Sequence, residues 1–315
     1  MRIAFQMDEL SKLNFASDGT YKMMEEAYKR GFEIFFYSPK SLSWNYGVLC
    51  AKLFKVLNIN NSAGEKSIPL VYAESTIMNL DDFDFIFLRQ DPPFDMAYIT
   101  STFLLEKLPS KVKVINNPIS VRNSPEKLLV TNFAHLMPKT LISSDFDMIY
   151  NFLKQEHKCV IKPLYGNAGS DVFFLDIYDV NAKSIIEYFL HNFKEQVMVQ
   201  EFMPNVKKGD KRIILIDGEP VGSLLRIPAE NTIKSNLAAG GRGVHEDLTE
   251  QELLICDNLK PTLQKLGLFF TGIDVIDGKL TEINVTSPTG FVAIEALTGV
   301  NLAVNLWDSL LKKYQ

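Results

Sequence analysis

No two of the cysteines stand close enough to act together. There are three in 315 residues, Cys50, Cys159 and Cys256. An odd count without a CxxC pair excludes a disulfide framework and a zinc knuckle, and reduced thiols fit the cytoplasm. The four histidines (His135, His157, His191, His245) show no pairing with a serine or cysteine, so covalent catalysis by the protein is not expected. No apolar run reaches the roughly 20 residues that a membrane span needs, and no membrane partner is expected. The start, Met1-Arg2-Ile3-Ala4-Phe5, is strand-like and lacks the shape of a signal peptide. Blocks of basic residues are also missing. Lys and Arg number 33 against 38 Asp and Glu, a net charge of −5, so nucleic acid is not an expected partner. Neither a Walker loop nor a dinucleotide fingerprint is present, and no internal repeat or low-complexity segment occurs.

The composition that remains, 46% apolar and 23% charged, is that of a globular chain with room for two or three domains. The first third alternates strands (Ile3–Phe5, Glu33–Tyr37, Phe83–Leu88, Val112–Ile115) with helices (Thr20–Arg30, Asp95–Leu108). That order predicts an open, mainly parallel sheet, with Gly47–Leu57 as an inserted hairpin. A second unit begins near Pro118, with a helix start at Ser124-Pro125-Glu126. It continues through helices at Asp145–His157 and Ile185–Phe193 and strands at Lys158–Pro163, Val172–Asp176 and Val197–Phe202. The last third holds two hairpins turning at Asp217-Gly218 and Asp277-Gly278. Between them lies a helix, Thr249–Leu266, interrupted at Pro261, and Asn301–Lys313 is a final helix.

Three stretches carry chemistry. In Glu282-Ile283-Asn284, residues i and i+2 of a strand share one face. With Asp274 from the partner strand they offer three oxygen-bearing side chains, a donor set suited to Mg²⁺, with Mn²⁺ as an alternative. An ordinary solvated hairpin face has the same composition. A strict two-residue turn would send Asp274 to the opposite face from Glu282. Joint coordination therefore predicts an odd loop, Ile276-Asp277-Gly278, with Gly278 at positive φ and a bulge. The second stretch is Lys162 followed by Pro163-Leu164-Tyr165-Gly166-Asn167-Ala168-Gly169-Ser170. Here a strand delivers a cation to a small-residue loop whose N–H groups suit a phosphate; a plain hairpin connection reads alike. The third is loop 227–242, long and polar, with Ala238-Ala239-Gly240-Gly241 as hinges and Lys234 and Arg242 as charges. It reads as an active-site lid or as a mobile loop without a role.

In this order the pieces resemble the ATP-grasp superfamily and, within it, the bacterial glutathione synthetases. The resemblance covers nearly the whole chain. It is carried by Asp91-Pro92-Pro93-Phe94-Asp95, Glu126-Lys127-Leu128, Lys162-Pro163-Leu164, Gly209-Asp210-Lys211-Arg212 and Gly218-Glu219-Pro220-Val221. Further matches are Arg226-Ile227-Pro228, Asn236-Leu237-Ala238-Ala239-Gly240-Gly241-Arg242-Gly243 and Thr281-Glu282-Ile283-Asn284-Val285-Thr286-Ser287-Pro288-Thr289.

The resemblance implies an α/β ATP-grasp fold in three parts. These are a Rossmann-like substrate domain (1–120), a small lid domain (121–202) and a C-terminal domain (203–315) with the mobile loop 227–242. It implies an ATP-dependent ligase that joins γ-glutamylcysteine to glycine through an acyl phosphate, releasing ADP and phosphate, in a homo-oligomer. Lys127 and Lys162 would contact phosphates under the loop Gly166, Asn167, Ala168, Gly169 and Ser170. Gln200, Glu201, Phe202 and Met203 would hold adenine, and Asp210 the ribose. Arg212 and Arg226, with Lys162, would face the transferring phosphoryl group. Arg226, Lys234, Asn236, Gly240, Gly241, Arg242, Ser287, Pro288 and Thr289 would meet substrate. Two departures from the family pattern are Lys234, where Arg is usual, and Gly290-Phe291-Val292-Ala293-Ile294. A ligase for another carboxylate and amine, a small-molecule kinase and a nucleotide-binding module without turnover remain alternatives.

Overall fold

Two short apolar runs, Ile3–Phe5 and Phe85–Leu88, become neighbouring parallel strands, covered on both faces as parallel strands usually are. The computed structural model describes residues 1–60, 68–166, 171–230, 232, 235, 237 and 240–314. Its first sheet contains β1 (Arg2–Gln6), β2 (Glu33–Tyr37), β3 (Ser43–Asn45), β4 (Val48–Ile59), β5 (Leu70–Tyr72), β6 (Thr76–Asn79), β7 (Phe85–Leu88) and β8 (Lys113–Ile115). The order β2-β1-β7-β8 is parallel, and β4 extends it antiparallel from β2. The expected insertion is a hairpin, but Gly47–Leu57 is mostly the single strand β4. Its hairpin partner is β3, and β5 and β6 also pair with it.

Helix Gly19–Lys29 is capped by the Asp18 carboxylate, which accepts from Tyr21 N–H, and ends before Gly31 at φ 75°. It packs with the C-terminal helix Leu302–Tyr314, whose buried Trp307 donates to the Met23 carbonyl at 3.0 Å.

The second sheet, in the order β11-β10-β12-β9, is antiparallel: β9 (Thr140–Ser143), β10 (Lys158–Pro163), β11 (Phe173–Asp176) and β12 (Val197–Glu201). Cys159, Ile161, Val197 and Val199 face helices Phe146–Glu156 and Ala182–Asn192 in a core of their own. By the two-residue period of strands, Val160, Lys162 and Gln200 face the other way.

The third sheet has the order β15-β14-β13-β16-β17 and is antiparallel: β13 (Asp210–Ile216), β14 (Glu219–Ile227), β15 (Arg242–Val244), β16 (Phe270–Ile276) and β17 (Lys279–Asn284). One face buries Ile213, Ile273, Val275 and Ile283 under Ile255, Leu259 and Leu263 of helix Glu250–Leu266. That helix runs unbroken through Pro261, contrary to the expected interruption. The missing N–H frees only the carbonyl of Asp257, and both residues are exposed, so water can replace the bond. The first and third sheets are joined by buried Asn116. Its amide donates to the carbonyls of Phe270 (2.7 Å) and Val285 (2.8 Å) and accepts from Phe270 N–H (2.7 Å).

Both hairpins of the third sheet turn on two residues, Asp217-Gly218 and Asp277-Gly278, and all four residues have positive φ. The expected odd loop is therefore absent, and Ile276 pairs with Lys279. The extra residue sits further along the strand. The register shifts between Val275↔Leu280 and Asp274↔Glu282, leaving Thr281 unpaired, with its hydroxyl donating to the Asp274 carbonyl at 3.0 Å. The first hairpin shifts in the corresponding place, leaving Val221 unpaired. A tight turn favours the right-handed strand twist, and the bulge three residues beyond it restores the parity that the turn alone would lose.

Candidate active site

The bulge sets Asp274 directly opposite Glu282, and Arg212 lies directly across from Asp274 on the other side. Directly paired residues of antiparallel strands share a face. A row Leu224–Arg212–Asp274–Glu282 therefore crosses the sheet, with Asp210 paired to Arg226 and Asn284 two residues beyond Glu282 on the same face. This charged end of the face opens on a cleft between the second and third sheets. Val160, Val172, Phe202, Met203, Val206 and Ile276 make its apolar walls, and Lys162, Asp210, Asp274 and Glu282 its polar end.

Asp274, buried, is gripped by two guanidinium groups. Arg212 binds it through Nε (2.5 Å) and Nη2 (2.9 Å), and Arg226 through Nη2 (2.9 Å). Asn284 Nδ2 stands 3.3 Å from the same carboxylate. Burial would raise this carboxyl group, but Arg212 and Arg226 outweigh it and hold it well below the usual range. Glu282 is held more loosely, 3.4 Å from Lys127 Nζ and 3.8 Å from Lys162 Nζ. Burial again opposes, and the two ammonium groups bring its carboxyl below the ordinary value. Burial lowers Lys162. Asp210 accepts from Arg226 Nη2 at 2.5 Å and from the Ser235 hydroxyl at 2.9 Å, while its Oδ1 has no partner. Burial pushes this carboxyl up to about 6, only partly opposed by Arg226.

The other expected residues divide into three groups. Gln200, Glu201, Phe202 and Met203 line the cleft. The Gln200 side-chain amide is committed to the Thr140 hydroxyl (2.9 Å), and Glu201 accepts from Lys139 N–H (2.9 Å). Lys127 donates to the Gly166 carbonyl at 2.5 Å, tying the entry of the small-residue loop to the charged cluster. The Ser287 hydroxyl reaches the Arg89 carbonyl, and the Pro288 and Thr289 carbonyls lie at 3.5 Å from Arg89 and 3.2 Å from Arg212. Gly272 has no side chain where this segment passes; a Cβ there would stand 3.0 Å from Pro288 and 3.3 Å from Arg212.

Gly240, Gly241 and Arg242 are not drawn into the cluster. Gly240 and Arg242 are exposed, and Arg242 pairs with Ile227 through β15. Asn167, Ala168, Gly169, Ser170, Lys234, Asn236 and the hinge residues Ala238 and Ala239 lie outside the described residues. The unusual string after Gly290 serves packing: Phe291 and Ile294 are buried, and Phe291 meets Phe270 edge-on at 5.1 Å.

Sequence reasoning missed three polar neighbours. Ser235 binds Asp210. Glu126 accepts from the Thr286 hydroxyl at 2.9 Å, and its carboxyl is raised by burial and by Glu282. Arg89 is buried at the carboxyl end of β7, where ligands of parallel sheets gather.

As a cation site the cluster fits Mg²⁺. Its donors are two carboxylates and an amide, all supplying oxygen. Among the described residues no group of three or more His, Cys, Asp or Glu is placed to hold a metal ion. No helix of the described residues is long and apolar enough to cross a membrane.

Two family models match the chain: the N-terminal domain of prokaryotic glutathione synthetase over residues 1–122, and its ATP-grasp domain over 126–299. The chain is 46% identical to a glutathione synthetase of Agrobacterium fabrum, covering 99% of this chain and 96% of that one. It is 44% identical to one of Brucella melitensis (98% of each) and 42% identical to one of Synechocystis (96% of each). Among solved structures it resembles D-cycloserine synthetase DcsG (TM-score 0.68, 13% identity, full coverage of both chains). It also resembles the ATP-grasp ligase PsnB complexed with a precursor variant, Mg and ADP (TM-score 0.63, 16% identity, 100% and 98% coverage). At these identities the two structures show a shared ATP-grasp fold.

Proposed function

The chain belongs to the prokaryotic glutathione synthetase family and is thus an ATP-grasp ligase of glutathione biosynthesis, and from that premise we propose which residues carry the reaction and where. The ATP-grasp fold implies ATP and Mg²⁺. The reaction joins γ-glutamylcysteine and glycine. The cysteinyl carboxylate attacks the γ-phosphorus of ATP, and ADP leaves. The amine of glycine then attacks the acyl carbon, phosphate leaves, and the amine gives up a proton. The observation that carries the assignment is the Asp274–Glu282 pair on one face, ringed by Lys127, Lys162, Arg212 and Arg226 at the polar end of the cleft.

Asp274, Glu282 and Asn284 would hold the magnesium ion, which when bound neutralises the charge of the β- and γ-phosphate oxygens. The chain's own part is positioning and charge. Lys127 and Lys162 supply ammonium groups for phosphate oxygens. Arg212 and Arg226, fixed beside Asp274, present guanidinium groups where negative charge grows on the transferring phosphoryl group. The apolar walls around Phe202 and Met203 accept the adenine ring, and Ser287–Thr289 border the peptide. Little acid–base work falls to the protein, and among the described residues that line the cleft there is no histidine. Loop 227–242 would close over the acyl phosphate and keep water from it. We assign 1–120, 121–202 and 203–315 as the three domains, in a cytoplasmic homo-oligomer.

Mass analysis of products, with phosphate release measured for γ-glutamylcysteine plus glycine against other dipeptide and amino-acid pairs, tests the reading. A phosphate ester as product, or another pair turned over faster, would overturn it. A second expected result concerns Asp210. Its ionised carboxylate accepts from a ribose hydroxyl, and its carboxyl is pushed up to about 6. KM for ATP should therefore rise as pH falls below about 6, by at most about tenfold per unit. In Asp210→Asn that limb should vanish. An unchanged limb in the variant would remove Asp210 from the nucleotide site.

A further inference from the structure

The first sheet changes direction between β1 and β7. From β1 the chain passes to β2 on one side and later returns to β7 on the other. Ligands of open parallel sheets settle at the carboxyl ends of the strands that flank such a point. Those ends here are Gln6 and Arg89, joined by Arg89 N–H donating to the Gln6 carbonyl at 2.8 Å. Both residues are buried, and each carries a polar atom with no partner: Nη1 of Arg89 and Oε1 of Gln6.

The rest of Arg89 is fixed. Its Nε donates to the Thr20 hydroxyl at 3.0 Å, Nη2 lies 3.5 Å from the Pro288 carbonyl, and the guanidinium group stands 5.3 Å over the Phe270 ring. No carboxylate of the described residues forms an ion pair with it; Asp18 and Asp91 act on it only through space. A cation buried at 5% exposure without an anion is costly unless a ligand supplies one.

We infer that Arg89 binds the α-carboxylate at the glutamyl end of the dipeptide, an assignment that rests on the ligase reading above. The spacing selects that end. Arg89 and Arg212 grip the adjacent carbonyls of Pro288 and Thr289. Of the two substrate carboxylates that do not react, glycine's lies about one residue length, roughly 3.5 Å, from the acyl carbon, and the glutamyl one about two residue lengths or more. Arg212 faces the reacting centre from the third sheet, whereas Arg89 stands at the end of the first sheet. The carboxylate farther from the reacting carbon is therefore the one assigned to Arg89. Asp91, exposed at the rim, with its N–H held by Asp8 at 2.8 Å, offers a carboxylate to the α-ammonium group. The parallel sheet would thus read the amino-acid end of the substrate, while the third sheet handles the carboxylate that reacts.

The test compares γ-glutamylcysteine with 4-aminobutanoylcysteine, which lacks only that carboxylate, in the parent chain and in Arg89→Met and Arg89→Lys. The parent should favour γ-glutamylcysteine by about 10- to 100-fold in kcat/KM, the scale of charge-assisted hydrogen bonds. Arg89→Met should lose that preference through KM for the dipeptide, with KM for glycine and for ATP unchanged. Arg89→Lys should fall between, since an ammonium group cannot form two parallel bonds. Equal use of both dipeptides by the parent would overturn the assignment. So would a full preference in either variant, or a loss that falls on glycine. If Arg89→Met does not fold, the parent and Arg89→Lys still decide. A parent that makes no amide from either dipeptide would overturn the ligase reading itself, and this assignment with it.

Discussion

Glu282→Gln is expected to lower kcat by about 10²–10³-fold while thermal stability falls by no more than about 2 °C. The two parts of this expectation have separate causes. Glu282 is bound to the protein only by long contacts, 3.4 Å to Lys127 and 3.8 Å to Lys162, and its side chain keeps 24% exposure. Removing its charge breaks no short bond. Both ammonium groups remain beside the open cleft, and Lys127 keeps its bond to the Gly166 carbonyl. What disappears is one of two carboxylate oxygen donors for magnesium, so the magnesium concentration needed for half-maximal rate should rise together with the loss of rate. Steady-state rates over a magnesium titration, with calorimetric unfolding of the ligand-free protein, check both parts. A variant with full activity would remove Glu282 from the metal site. A variant that loses several degrees of stability would show that its pairing with the lysines is structural.

Much of this site could be read from the sequence because its donors lie on strands, where faces alternate. Glu282 and Asn284 two apart, with Asp274 across a turn, were enough to propose a shared face. The place of the correcting bulge was not legible. Thr281 is an ordinary strand residue, and nothing in Asp277-Gly278 distinguishes a two-residue turn followed by a bulge from a three-residue loop. Both give Gly278 a positive φ. The corresponding bulge at Val221 sets Arg226 opposite Asp210. Arg89 escaped for a different reason. A single arginine after an apolar strand reads as a solvated end, and its burial depends on Phe270 and Pro288, far along the chain. Long-range burial of this kind leaves no local signal. The helix through Pro261 was misread because the pattern of buried positions continues past it, and that pattern outweighs one missing bond on the wet side.

Asp274 stands opposite Glu282 on the same hairpin, yet Asp274→Asn should behave differently. Activity should fall at least as far, and stability should fall as well, by about 3 kcal/mol. The parent Asp274 carboxylate is the counter-ion of two buried guanidinium groups at 2.5–2.9 Å, so an asparagine there leaves Arg212 with no anion among these contacts. Arg226 keeps Asp210, which places the cost at the lower end of the range for a broken buried pair. For a chain of this length that corresponds to a fall in Tm of roughly 4–5 °C. The pH dependence identifies the cause. The folded carboxyl lies below its ordinary value of 3.8, so its contribution is fully present above that value and is lost only as pH falls through the folded pKa. The gap in stability between parent and variant should therefore be constant from pH 8 to about 7, should shift near 6, where Asp210 titrates beside Asp274, and should close only in stronger acid. A gap that varied across the neutral range would assign the loss to another group. No gap at all would mean that the two arginines do not need Asp274, and that the charged row across the third sheet is not held as its distances imply.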